Sequence, residues 1–439
     1  MPPRASLSIT AAVPDPALLD LPWQLPLDQW PSDVIAALPK GISRHLVRFA
    51  HMSGGVVAVK ETTEQMALHE YEVLRSLQKL DVPGVAPVAV ITNRFDADGE
   101  PLPSALVTEH LKFSMPYRAL FSQTLRPDTA TRLVDALALL LARLHLVGFF
   151  WGDVSLSNTL FRRDAGAFAA YLVDAETGQL QPNGLTAGQR EHDLEVGRVN
   201  IAGELFDLEA GGRIDESLDP IEISNRIVSQ YRMLWQELTG FETFDASERW
   251  RIDARIQRLN DLGFDIEELA MTAGGDGAQV RIQPKVVDAG HHQRRLLRLT
   301  GLDTGENQAR RLLNDLDRYR ATYGRPGQDE EVTAHEWLVR AFEPVIKAIP
   351  RELRGKLEPA EAYHQFLDHR WFISQEQDRD VPLAEAVQSF IDNVLRHRRD
   401  EATLLNPPTT AITLPLPTVE TGAIPILGDD DEEDWRLKV

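Results

Sequence analysis

The stretch "GFFWGDVSLSNTLF", residues 148–161, sets a short polar gap between apolar flanks. "ALALLLARLH" (136–145) precedes it and "YLVDAETG" (171–178) follows closely. Asp153, Ser155, Ser157 and Asn158 fill the gap. Residues of these types favour turns on their own account. A surface turn seldom needs buried sequence on both sides, so the other reading is a core-held loop that presents polar groups for chemistry. Outward from the loop, residues 128–147 read as a long helix begun at Asp128 and ended by Gly148. "AAYLVDAE" (169–176) reads as an apolar strand that places Asp174 at its end.

Further upstream, "HLVRFAHM" (45–52) and "VVAVKE" (56–61) read as strands joined at Gly54-Gly55, which puts Lys60 at a strand end. Residues 63–80 carry Met66, Tyr71, Val73, Leu74 and Leu77 with helical spacings, and Glu70 and Glu72 lie among them. "DVPGVAPVAVITN" (81–93) and "SALVTEHL" (104–111) return to extended chain. Residues 1–29 are Pro-rich without periodicity and read as a flexible lead-in.

The texture changes after about residue 220. Asp219 and Pro220 make a cap and first turn for a helix over 219–238. Further helices are predicted over 247–263, 306–324, 334–349, 358–376 and 382–400, with "AQVRIQPKVV" (278–287) as a strand pair. Residues 401–439 combine Pro with the acidic run "DDDEED" and read as a disordered tail.

Composition narrows the function classes. The chain has 439 residues, 46 Lys and Arg against 67 Asp and Glu, and a net charge of −21, which argues against binding a nucleic-acid backbone. It has no Cys, so thiolate nucleophiles, thiolate metal sites and disulfides are excluded. The most apolar run, 136–151, is broken by Arg143 and His145 and is too short to span a bilayer. The opening residues lack a signal-peptide core, and a cytoplasmic protein is expected.

Lys60, Glu70, Asp153, Asn158 and Asp174, in that order, resemble the protein kinase superfamily. "VAVK" (57–60) looks like the strand whose Lys holds nucleotide phosphates, and "HEYEVLRSL" (69–77) looks like the helix whose Glu pairs with it. Glu70 is favoured over Glu72 for that pairing. "GDVSLSN" (152–158) is similar to the catalytic loop, "VDAE" (173–176) to the metal-binding segment, and "EHDLEVG" (191–197) to a helix whose Asp193 anchors the loop. The resemblance spans about 35–210 and is to an atypical bacterial, lipopolysaccharide-kinase-like member. The second half resembles a helical domain of unknown function found behind such kinase-like halves.

The resemblance implies an α+β, bilobal kinase-like domain over 30–215 and a mostly α-helical domain over 220–400. It implies an ATP- and Mg²⁺-dependent phosphotransferase acting on a hydroxyl acceptor or protein partner. Asp153 would be catalytic, Asn158 and Asp174 metal ligands, and Lys60, Glu70 and Gly41 nucleotide-binding. Trp151 and Gly152 replace the usual His-Arg before the catalytic Asp, and Ala175 and Glu176 replace Phe-Gly after the metal Asp. No GxGxxG is present, and "LPKGIS" (38–43) stands in its place. These departures support the rival reading, a pseudokinase-type module that binds nucleotide or a partner without catalysis. His145 reads as a packed core residue. His291-His292 does not read as a metal pair, because adjacent side chains diverge.

Overall fold

A computed structural model describes residues 7–36, 45–52, 55–120, 127–245, 248, 250–273, 279–325, 328–379 and 381–398. Gly41 and the expected disordered tail from 401 lie outside the described residues. The architecture is α+β, with a sheet-bearing kinase-like half followed by a mostly helical half, and the described residues form one compact unit.

The first lobe is a five-stranded antiparallel sheet. Its strands are β1 (Ser8–Ala11), β2 (Val47–Met52), β3 (Gly55–Thr62), β4 (Pro87–Thr92) and β5 (Ser104–Glu109), in the order β1-β4-β5-β3-β2. Between β3 and β4 runs helix α1 (Glu64–Lys79). Thr63 caps α1 by accepting a hydrogen bond from the Met66 amide, and Glu64 and Lys79 sit at the ends the helix dipole favours. Alternation along the strands divides the sheet into two apolar faces. Val90 and Leu106 face α1, whereas Val57, Val59, Ala89, Ile91, Ala105 and Val107 face the other way.

That second face needs a cover, and the N-terminal segment supplies it. Leu18, Leu21, Trp23, Leu27 and Trp30 are buried against it, which corrects the expectation of a flexible lead-in over 1–29 for its described residues. The absence of periodicity misled because this segment wraps in short irregular turns. Arg94 fastens it. The guanidinium, 1% exposed, donates to the carbonyls of Trp23, Leu25 and Pro103 and to Glu61 Oε1 at 2.8 Å. Glu61 Oε1 also accepts from the Leu27 amide.

The second lobe begins with β6 (Met115–Pro116), α2 (Tyr117–Leu120) and α3 (Pro127–Leu146). Then come β7 (Phe149–Phe150), β8 (Thr159–Asp164), β9 (Ala167–Leu172), β10 (Gln179–Leu180), α4 (Ala187–Ala210) and α5 (Pro220–Thr239). Helix α3 is apolar almost all round because α5 and the β9 strand pack on it and the core encloses it. Asp219 caps α5 and Pro220 opens it, as the sequence implies. Ile227, Tyr231, Leu234 and Leu238 of α5 belong to the core of the kinase-like half, so that core runs past the expected boundary at 215–220 to Phe264.

The helical half holds β11 (Glu242–Asp245), α6 (Trp250–Asp261), β12 (Phe264–Ala273), β13 (Gln279–Ala289), α7 (His291–Thr300), α8 (Glu306–Tyr323) and α9 (Glu330–Trp337). It ends with α10 (Glu343–Ala348), α11 (Pro359–Glu376) and α12 (Leu383–Asn393). The expected strand pair over 278–287 is instead one strand, β13, between β11 and β12. Its Pro284 lies opposite Leu269, where the register shifts, the place in a sheet that tolerates a missing N–H. A separate apolar core joins α7 to α12. Asp164, at the end of β8, ties this half to the first. Its carboxylate accepts from the Gln308 and Asn307 amides at the start of α8.

The Arg94 cluster yields a stability prediction. Arg94→Met leaves Glu61 buried without its guanidinium and should cost about 3–5 kcal/mol, read by urea unfolding. A loss within about 0.5 kcal/mol, as for an ordinary surface change, would show that this residue does not hold the segment.

Candidate active site

Strand β3 carries Lys60 to the α1 side of the sheet, where the ammonium is met by carboxylates from two directions. Lys60 Nζ lies 2.9 Å from Glu70 Oε2, 3.2 Å from Asp174 Oδ2 and 3.0 Å from Glu176 Oε2. The pairing falls to Glu70, which is buried on α1, while Glu72 is exposed. Burial works against the Lys60 charge, but Glu70 and Asp174 outweigh it and hold its pKa above the ordinary lysine range. Burial pushes the Glu70 carboxyl up to about 7 against the pull of Lys60. Glu70 Oε1 also accepts from the Ala175 amide at 3.3 Å, and His69 bonds the Gly178 carbonyl, so α1 is clasped to the segment around Asp174.

The polar gap between α3 and β8 is a core-held loop. Asn158 Nδ2 donates to the Asp153 carbonyl and to Asp153 Oδ2, each at 3.0 Å. The Asn158 carbonyl accepts from the Val173 amide at 3.2 Å, which brings the loop beside Asp174. Trp151, counted as a departure in the sequence, is fully buried and braces both segments. Its indole donates to the Asp174 carbonyl at 3.0 Å, and its own carbonyl accepts from Thr177 Oγ1 at 2.7 Å. Gly152 has φ +78, a left-handed conformation that penalises any Cβ, so glycine before Asp153 has a backbone reason.

Helix α4 holds this loop from beneath. Asp193, 0% exposed, accepts from the Trp151 amide at 2.9 Å, the Gly152 amide at 2.7 Å and His145 Nε2 at 3.1 Å. Burial keeps the His145 pKa low, and a neutral ring that donates from Nε2 leaves Nδ1 to accept from the Tyr231 hydroxyl. His145 is therefore a packed and bonded core residue, as expected. Two further α4 residues escaped the sequence reading. Asn200 donates to Asp153 Oδ1 and to the Val154 carbonyl, and Glu204 accepts from the Leu156 and Ser157 amides. The spacing of Asp193, Asn200 and Glu204 puts them along one face of the helix, which was the available signal. Gly197 lies on that face too, where a Cβ would come within 2.9 Å of Val154.

Lys60, Glu70, Asp153, Asn158 and Asp174 are thus linked through one contact network, with Asp193 beneath it. Glu70, Asp174 and Glu176 each offer an oxygen within 4.8 Å of the others. Their negative charges exceed the single positive charge of Lys60, and carboxylate oxygens are the donors Mg²⁺ takes. Asn158 commits its Nδ2 to Asp153, and among the described residues its Oδ1 accepts no hydrogen bond. The donor set fits a hard divalent cation. His291-His292 forms no such set, since His292 bonds Glu306 through its amide and Nδ1. Among the described residues, no helix is long and apolar enough to cross a membrane.

Asp193→Asn replaces an acceptor of these N–H groups with an amide that carries its own N–H. It should cost about 1–3 kcal/mol in urea unfolding. An unchanged midpoint would contradict the anchoring role.

Two protein-family models match separate stretches of the chain. Residues 49–196 match the model of the Lipopolysaccharide kinase (Kdo/WaaP) family, and residues 233–395 match the Domain of unknown function (DUF4032). No curated protein matches. Among solved structures, one described as WaaP in complex with acyl carrier protein is 16% identical with a TM-score of 0.31, covering 52% of this chain and 89% of that chain. The chain joins a region similar to the lipopolysaccharide kinase family to a region similar to DUF4032.

Proposed function

We propose that the chain is a phosphotransferase that moves the γ-phosphoryl group of ATP to a hydroxyl acceptor with Mg²⁺ bound. The observation that carries this reading is the Lys60–Glu70 pair at 2.9 Å, with Asp174 3.2 Å from the same ammonium. Phosphoryl transfer asks a protein mainly for positioning and charge neutralisation. Lys60 neutralises the nucleotide phosphates, and Glu70 keeps its ammonium aimed. Asp174 and the Asn158 Oδ1 hold the metal, with Glu176 close enough to add an oxygen. Bound Mg²⁺ supplies charge neutralisation along the phosphates. Asp153, oriented by Asn158 and Asn200, accepts the proton of the acceptor hydroxyl as its oxygen bonds to phosphorus and ADP leaves.

A pseudokinase-type module is the second reading, and Glu176 favours it. Its carboxylate stands 3.0 Å from Lys60 and 3.0 Å from His45, so it occupies the ammonium that phosphates would meet. Paired substitutions separate the two. Asp174→Asn should weaken Mg²⁺-dependent ATP binding in calorimetry. Asp153→Asn should keep that binding and lower phosphoryl transfer or ATP hydrolysis by roughly 10²–10⁴-fold. Wild-type binding without turnover would favour the pseudokinase, and no binding would defeat both.

A further inference from the structure

Arg143, which breaks the most apolar run of the sequence, is only 9% exposed. It sits on α3 and its guanidinium lies 5.6 Å from the centroid of the Phe264 ring. Its Nε is buried with no hydrogen-bond partner, and among the described residues no carboxylate or carbonyl accepts from its side chain. A guanidinium carries five N–H donors that are costly to bury unmet. Burial pulls its pKa below the ordinary arginine value, while Glu306 and Asp164 pull the other way without bonding it. Both carboxylates are spoken for. Glu306 accepts from the His292 and Gln293 amides, and Asp164 from the amides that open α8.

The guanidinium lines a cavity of about 520 Å³ that reaches the C-terminal turns of α1 and whose lining does not include Lys60. That volume lies in the range of small-molecule sites, roughly 300–1,000 Å³. Leu74 and Leu77 of α1, Leu140 of α3 and Phe168 of β9 give it apolar wall, and Glu306 and Asn307 of α8 close it from the helical half. The donors therefore face a partly open chamber shared by the two halves, whose lining also carries Asp81, Asp135, Asp164, Asp303 and Glu306. We propose that this cavity is a second binding site, separate from the candidate active site, for a small molecule that pairs one carboxylate with an apolar body. The planar guanidinium matches a carboxylate in a two-pronged hydrogen bond, and the walls match the body. The site also touches the helix that carries Glu70, one and two turns further along.

The test uses the full chain and follows melting temperature with straight-chain carboxylates from butyrate to octanoate and with 3-phenylpropanoate. Octanol and octylamine serve as neutral and cationic controls. The carboxylates should raise the melting temperature, more so with longer chains, and the controls should not. Arg143→Met should remove the response while melting at or above the wild-type temperature, because it deletes a buried unpaired charge and keeps the volume. Arg143→Lys, which keeps the charge and loses the fork, should respond several-fold more weakly. The response should be the same with Mg²⁺ and with chelator, which separates this site from the metal-dependent nucleotide reading. The proposal is overturned if no carboxylate raises the melting temperature, if octanol does so equally, or if Arg143→Met still responds. A lower melting temperature for ligand-free Arg143→Met would also overturn it, by showing that the guanidinium serves the fold.

Discussion

An ammonium 12% exposed at the end of an apolar strand is tolerable only if carboxylates meet it, and the geometry of the first half follows from that need. Glu70 meets Lys60 from α1, which fixes the rotation of that helix against the sheet. Asp174 and Glu176 meet it from the segment after β9, which fixes where the second lobe approaches the first. Glu70 then takes the Ala175 amide with its other oxygen, so one buried carboxylate joins a strand, a helix and the opposite lobe. Removing Lys60 leaves Glu70 buried without its cation, the costly case for such pairs.

The loop around Asp153 has a different kind of support. It has little regular structure of its own, and four of its backbone amides donate to side chains from α4. Asp193 takes Trp151 and Gly152, Asn200 serves Asp153 and Val154, and Glu204 takes Leu156 and Ser157. A loop held in this way presents its carboxylate with few alternatives open to it, which suits the proposed role of Asp153 as the proton acceptor. Asp164 repeats the device between the halves by capping α8 across the junction.

The readable parts of this chain were those where chemistry and periodicity coincide. Lys60 at a strand end, Glu70 on an amphipathic helix, and Asp153, Asn158 and Asp174 around a short polar gap could all be placed from the sequence, and Asp219 with Pro220 announced α5. What escaped reading depends on tertiary contact. Trp23 and Trp30 look like loop residues until the bare face of the sheet is known, and Arg94 gives no local sign that it binds three distant carbonyls. Trp151 reads as a loss of the usual residue, whereas its indole performs a bracing task. Asn200 and Glu204 needed the loop's position before their shared face had meaning. Strand β12 was missed because "FDIEELAMTA" alternates weakly and follows a helix, and β13 seemed broken by Pro284, which the register shift accommodates.

The central claim is that the carboxylates around Lys60, together with Asn158, form a metal-dependent nucleotide site. The most direct measurement is calorimetric titration of the purified full chain with ATP, once with Mg²⁺ and once with chelator. The account predicts one saturable site whose affinity falls at least about tenfold, or 1.4 kcal/mol, when the metal is removed. Binding of equal strength without metal, or no binding in either condition, would contradict it.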